Sequence, residues 1–98
     1  MADTPTVVSV EEMRDYMRLD GTANDTILTA LLDAAGVYIA QATGADTTTQ
    51  AANPLAKAAT KMLVAEWYDP QGVDATASDR AVAEMLKHIQ PTEVADNG

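Results

Sequence analysis

The sequence predicts an all-α fold: a small bundle of four helices with flexible termini and a polar loop between helices two and three. Three observations carry this. Apolar residues recur at spacings of three and four in separate stretches. Each stretch opens on a capping residue and closes on Gly or Pro turn chemistry. Strand-type alternation is nearly absent. At 98 residues the chain makes one domain, because a chain this size builds a single core. Residues 9–90 form the helical domain, between an N-terminal arm (1–8) and a flexible C-terminal tail (91–98).

In the arm, Pro5 argues against an early helix. The first helix starts at Ser9 in SVEEMRDYMRLD, where Ser9 and Glu12 have capping-box spacing and Met13, Tyr16 and Met17 follow. Arg14 and Arg18 lie toward its end, as the helix dipole prefers. Asp20-Gly21 terminates it. The second helix is the longest, capped by Asn24 or Asp25. Its stripe of Ile27, Leu28, Leu31, Leu32, Ala35, Tyr38, Ile39 and Ala42 predicts one apolar face. Gly44 stops it, and Gly36 inside the stripe reads as a site of close helix packing.

Residues 45–52, ADTTTQAA, read as the polar loop. The third helix opens with Asn53-Pro54, an N-cap and a first-position Pro. It carries Leu55, Ala58, Ala59, Met62, Leu63, Glu66 and Trp67, and ends at Asp69-Pro70. The fourth is capped by Ser78 and buries Val82, Met85, Leu86 and Ile89 before Pro91. The expected core comprises Leu31, Leu32, Ile39, Leu63, Trp67 and Leu86. Phe is absent and much of the 47% hydrophobic content is Ala, so that core is modest and neighbouring subunits would help it.

Fifteen acidic against six basic residues give a net charge of −9. Such a surface repels phosphate backbones and anionic membranes, which argues against a conventional nucleic-acid-binding domain. No Cys is available for disulfides or thiolate metal sites. The sequence shows no apolar run of membrane-spanning length and no secretory signal in residues 1–6, and predicts a soluble intracellular protein.

Chemistry is hard to find. His88, the single histidine, reads as a surface or interface residue. The segment 20–25, DGTAND, resembles the start of a calcium loop but lacks its alternating carboxylates, and Leu31 stands where the closing Glu belongs. Ser9 and Ser78 are explained as caps, and Trp67 and Tyr68 as core and rim. No catalytic, cofactor-binding or metal-ligating residue is assigned, and an enzyme is not expected.

Taken in order, three segments resemble the small head–tail connector (adaptor) proteins of long-tailed bacteriophages. They are SVEEMRDYMRLDG, NDTILTALLDAAGVYIAQATG, and Pro54 followed by KAATKMLVAEWYD. The resemblance spans residues 8–89. Where members often carry a basic residue or Asn after the aromatic pair, this chain has Asp69-Pro70-Gln71. Its last helix, DRAVAEMLKHI, is a looser match and leads into an acidic tail.

The resemblance implies a virion protein that is assembled in the host cytoplasm. It implies a homo-oligomeric ring, commonly dodecameric, below the portal protein. Such a ring extends the DNA channel, lets the genome pass without sequence-specific binding, and docks the stopper or tail-completion protein. It implies no cofactor and no membrane partner. For the ring contacts, the sequence offers the small-residue face of Ala56, Ala59 and Thr60, together with residues 1–8, 45–52 and 92–98. The alternative is an acidic DNA mimic, or other small interaction protein, that binds a host protein. Such a mimic needs carboxylates along one face, whereas here they gather at helix starts and loops. An acyl carrier protein is also small and acidic, but neither serine has the Asp-Ser-Leu context that phosphopantetheine attachment requires.

Overall fold

The computed structural model describes residues 7–72 and 74–92. These form α1 (Val10–Met17), α2 (Asp25–Thr43), α3 (Thr47–Ala51), α4 (Pro54–Tyr68) and α5 (Ala75–Lys87), with no strand among the described residues. The all-α prediction holds. The expected four-helix count does not, because the predicted polar loop contains α3. Asp46 starts this extra turn by accepting the Thr49 N–H at 2.9 Å. Gln50 anchors it from inside: its Nε2 donates to Ala45 O at 2.7 Å and Gly36 O at 3.1 Å. A polar residue in a Thr-rich segment is therefore fully buried.

The capping box on α1 forms as the spacing predicts. Glu12 N–H donates to Ser9 Oγ at 3.0 Å, and Ser9 N–H donates to Glu12 Oε1 at 3.1 Å. That bond from the Ser9 N–H holds the Glu12 carboxyl below its ordinary range, and Lys57 and Lys61 reinforce it. The helix ends earlier than expected. Arg18, not Gly21, takes the closing left-handed conformation (φ 58°), and Leu19 N–H bonds back to Arg14 O at 2.9 Å. Asn24 precedes α2 without a side-chain cap bond. Asp25 instead sits 3.0 Å from Arg14 Nε, an ion pair that ties α1 to the start of α2.

At 19 residues, α2 is about 28 Å long at roughly 1.5 Å per residue. It ends at Gly44 (φ 82°), where an added Cβ would also lie 3.1 Å from the Pro91 Cβ. Pro91 and Thr92, assigned to the tail, close the fold here. Thr92 N–H donates to Gly44 O at 2.9 Å, and Thr92 Oγ1 accepts the Asp46 N–H at 2.6 Å. Gly36 departs from its sequence reading: nothing lies within 4 Å of a Cβ built there, so close packing within the chain does not require Gly.

Asn53 caps α4 by accepting the Leu55 N–H at 2.9 Å, with Pro54 in the first turn. On α5 the cap is Asp74, which accepts the Ala77 N–H at 3.1 Å. Ser78, the expected cap, lies inside the helix and is buried, because the helix begins a turn earlier. In the core, α4 packs against both α2 and α5. Leu32, Ile39 and Leu63 are buried as expected, while Leu31, Trp67 and Leu86 pack partly buried at its edge. Val7 and Val8, at the end of the arm, are buried core residues. The rest of the arm (1–6) and of the tail (93–98) lies outside the described residues.

Candidate assembly surfaces

The small-residue face offered for subunit contact is not available for it. Ala56, Ala59 and Thr60 are all buried inside the single chain, and Thr60 Oγ1 is occupied by donating to Ala56 O at 2.8 Å. The same rotation of α4 that buries them leaves Leu55 37% exposed. Small side chains let α4 approach its neighbours closely, so they serve the core.

The bare apolar surface lies on α2. One side of this helix, Leu28, Leu32, Ala35 and Ile39, is no more than 2% exposed. Ile27, Val37 and Tyr38 are 54, 57 and 47% exposed. They project from a second side that Ala30 and Ala34 continue at helical spacing. Tyr38 is held in place by Trp67, edge to face with ring centroids 6.0 Å apart. The predicted single stripe is thus two faces, of which the fold of one chain covers one. The signal was present in the sequence: Val37 falls outside the stripe, and a helix apolar on more than one side wants more than one partner.

An 18-residue window of α2 has a mean hydropathy of 1.3, so by length and composition it could cross a membrane. This corrects the expectation that no such stretch exists. Asp33, near its middle, would cost about 2.5–3.5 kcal/mol at a bilayer centre. The packed side of the helix already has its partner in α4.

A groove runs between α1, α4 and α5. Two concavities of about 370 Å³ each share Tyr16 and Met62; one continues to Ala77 and Ala81, the other to Ala58, Lys57 and Lys61. Tyr16 is 49% exposed, and the Lys61 ammonium lies over its ring, 5.9 Å from the centroid. In the sequence Tyr16 belongs to the apolar stripe of the first helix, with no local signal of a groove. Beside the groove, burial pushes the Glu66 carboxyl up, and nearby Asp79 pushes the same way.

Several of the titratable side chains that the structure describes are engaged in caps and ion pairs. Among the described residues no group of three or more His, Cys, Asp or Glu could hold a metal ion. His88 is exposed at the end of α5, its Nε2 3.5 Å from Glu84 Oε2. Lys87 and, secondarily, His88 hold the Glu84 carboxyl below its usual range. The carboxylates of Glu12, Asp46 and Asp74 are engaged as helix caps. Bonds from the Thr49 backbone and hydroxyl lower Asp46 correspondingly.

The sequence profile of the phage gp6-like head-tail connector proteins matches residues 7–92, nearly the whole described fold. No curated protein and no solved structure matches the chain significantly. The matched span begins at Val7, a buried core residue, and ends at Thr92, which bonds to Gly44 and Asp46. The chain belongs to the phage gp6-like head-tail connector family.

Proposed function

We propose that this protein is a structural connector that assembles head to tail into a closed ring, dodecameric in the virion. The ring sits at the capsid vertex, between the portal protein and the stopper or tail-completion protein. It extends the DNA channel and offers the docking surface for the next component. It works by shape and charge, without catalysis or cofactor. Family membership supports the location, and one structural observation carries the assembly: the outer side of α2 is apolar and about half exposed among the described residues. Ring closure from identical subunits needs two different faces, each meeting the other on the next copy.

The channel role follows from charge. With a net charge of −9 per copy, a ring concentrates carboxylates around its axis and repels duplex phosphates at close range. Screening limits that repulsion to about 8 Å at physiological ionic strength. DNA then slides without adhering. The DNA-mimic reading gains nothing from the fold, since several carboxylates are spent on caps rather than arrayed for a partner. Imaging of virions tests the proposal. Density for this chain between portal and tail is the expected result, and its absence from that vertex overturns the connector role.

A further inference from the structure

Resting on the ring reading above, we propose that the contact between copies is a helix laid in a groove. The outer side of α2 of one copy enters the Tyr16–Met62 groove of the next, with Asp33 of the first facing Lys57 and Lys61 of the second.

Three observations converge. The outer side of α2 presents Ile27, Ala30, Ala34 and Tyr38 at the i, i+3, i+7, i+11 spacing of a helix seated in an apolar groove. The groove on α1, α4 and α5 is the matching concave surface, walled by Tyr16, Met62 and alanines. Both belong to the same rigid fold but to different elements, so a groove receives α2 only from another copy, which makes the contact heterologous.

Charge selects a second copy as the occupant. Copies with a net charge of −9 repel each other wherever their surfaces carry that charge. The outer side of α2 carries none. The charges on α2 are Asp25, which is engaged by Arg14, and Asp33, which is exposed. Asp33 lies one helical turn from both Ala30 and Val37, on the rim of the outer side. The groove is acidic at its α5 end, where Asp74 lines it, and basic at the opposite end, whose rim carries two of the six Lys and Arg residues, Lys57 and Lys61. An acidic helix edge thus meets a basic groove edge, which fixes direction and register.

The absence of Cys gives a clean background for the test. In the Val37→Cys, Ala58→Cys double variant, a short thiol–thiol cross-linker is expected to give a ladder of covalent oligomers ending at the ring. An equimolar mixture of the two single variants is expected to stop at the dimer, and neither single variant alone should cross-link. Asp33→Lys is expected to move the assembly midpoint to a protein concentration on the order of tenfold higher. Adding Lys57→Glu and Lys61→Glu to that variant should restore it, while circular dichroism stays unchanged throughout. Efficient self-linking of Val37→Cys alone overturns the proposal in favour of a two-fold α2 contact. No ladder from a double variant that sedimentation shows to be a ring overturns this contact and leaves the ring standing. A chain that stays monomeric even with portal protein present overturns the ring reading itself.

Discussion

On the inner side of α2, Leu28, Leu32, Ala35 and Ile39 are enclosed by the core; on its outer side, Ile27, Val37 and Tyr38 are about half exposed. The two sides share one helix and similar residue types. What separates them is which neighbours the rest of the chain supplies. α4 packs against the inner side, and among its own buried residues are the small Ala56 and Ala59. Among the described residues, α4 reaches the outer side only at its edge, where Trp67 meets Tyr38, and Ile27 and Val37 stay half exposed. Hydrophobicity decides that a surface seeks cover, and topology decides whether that cover comes from within the chain.

Truncation on the two sides should divide accordingly. Leu32→Ala is expected to cost about 2–5 kcal/mol in urea unfolding, because it removes buried contacts and leaves a cavity. Val37→Ala should stay within about 0.5 kcal/mol while weakening assembly. Equal losses at both positions would break the comparison, by showing that the outer side is covered in the single chain.

A smaller effect tests how the inner side is finished. Gln50 joins α3 to α2 through Gly36 O and Ala45 O. Gln50→Ala should therefore cost about 1–3 kcal/mol, the penalty for leaving buried polar groups unpaired. Amide hydrogen exchange should then quicken around residues 45–52 before it does in the rest of α2. Uniform quickening would mean that α3 is not a separately anchored element.

Gly36→Ala should act in the opposite direction. An added Cβ meets open space, so the gain in helix propensity, up to about 1 kcal/mol, is expected to appear as a higher urea midpoint. A loss would show that Gly36 is needed for close approach, as its position in the sequence suggested.

The smallest expected effect lies beside the groove. A carboxyl whose pKa is raised by folding, as that of Glu66 is by burial and by Asp79, holds its proton better folded than unfolded. It therefore opposes folding above its folded pKa, and that opposition fades as the pH falls through that value toward the unfolded one. Glu66→Gln should raise the melting temperature slightly at neutral pH. The gain should vanish below about pH 4. Calorimetry across that range decides it, and a gain that persists in acid would assign the effect to packing rather than charge.

Much of the fold was legible locally. The capping box at Ser9 and Glu12, the Asn53-Pro54 opening of α4 and the Gly44 stop are encoded within a few residues of where they act. Local hydrogen bonds and backbone conformations need no distant partner, so the sequence by itself determined an all-α chain, its main helix boundaries and, through ordered motifs, its family. Where it misled, either a nearer rival cap was overlooked or the deciding partner was remote. Asp74 instead of Ser78 caps α5, and α3 exists because the Gln50 side chain reaches a carbonyl on α2. Only the tertiary structure decided that Ala56, Ala59 and Thr60 face inward while Ile27, Val37 and Tyr38 face outward. Periodicity gives the phase of an apolar stripe, but a stripe wider than one neighbour can cover is divided only when the helices pack. That division leaves one apolar side of α2 about half exposed among the described residues.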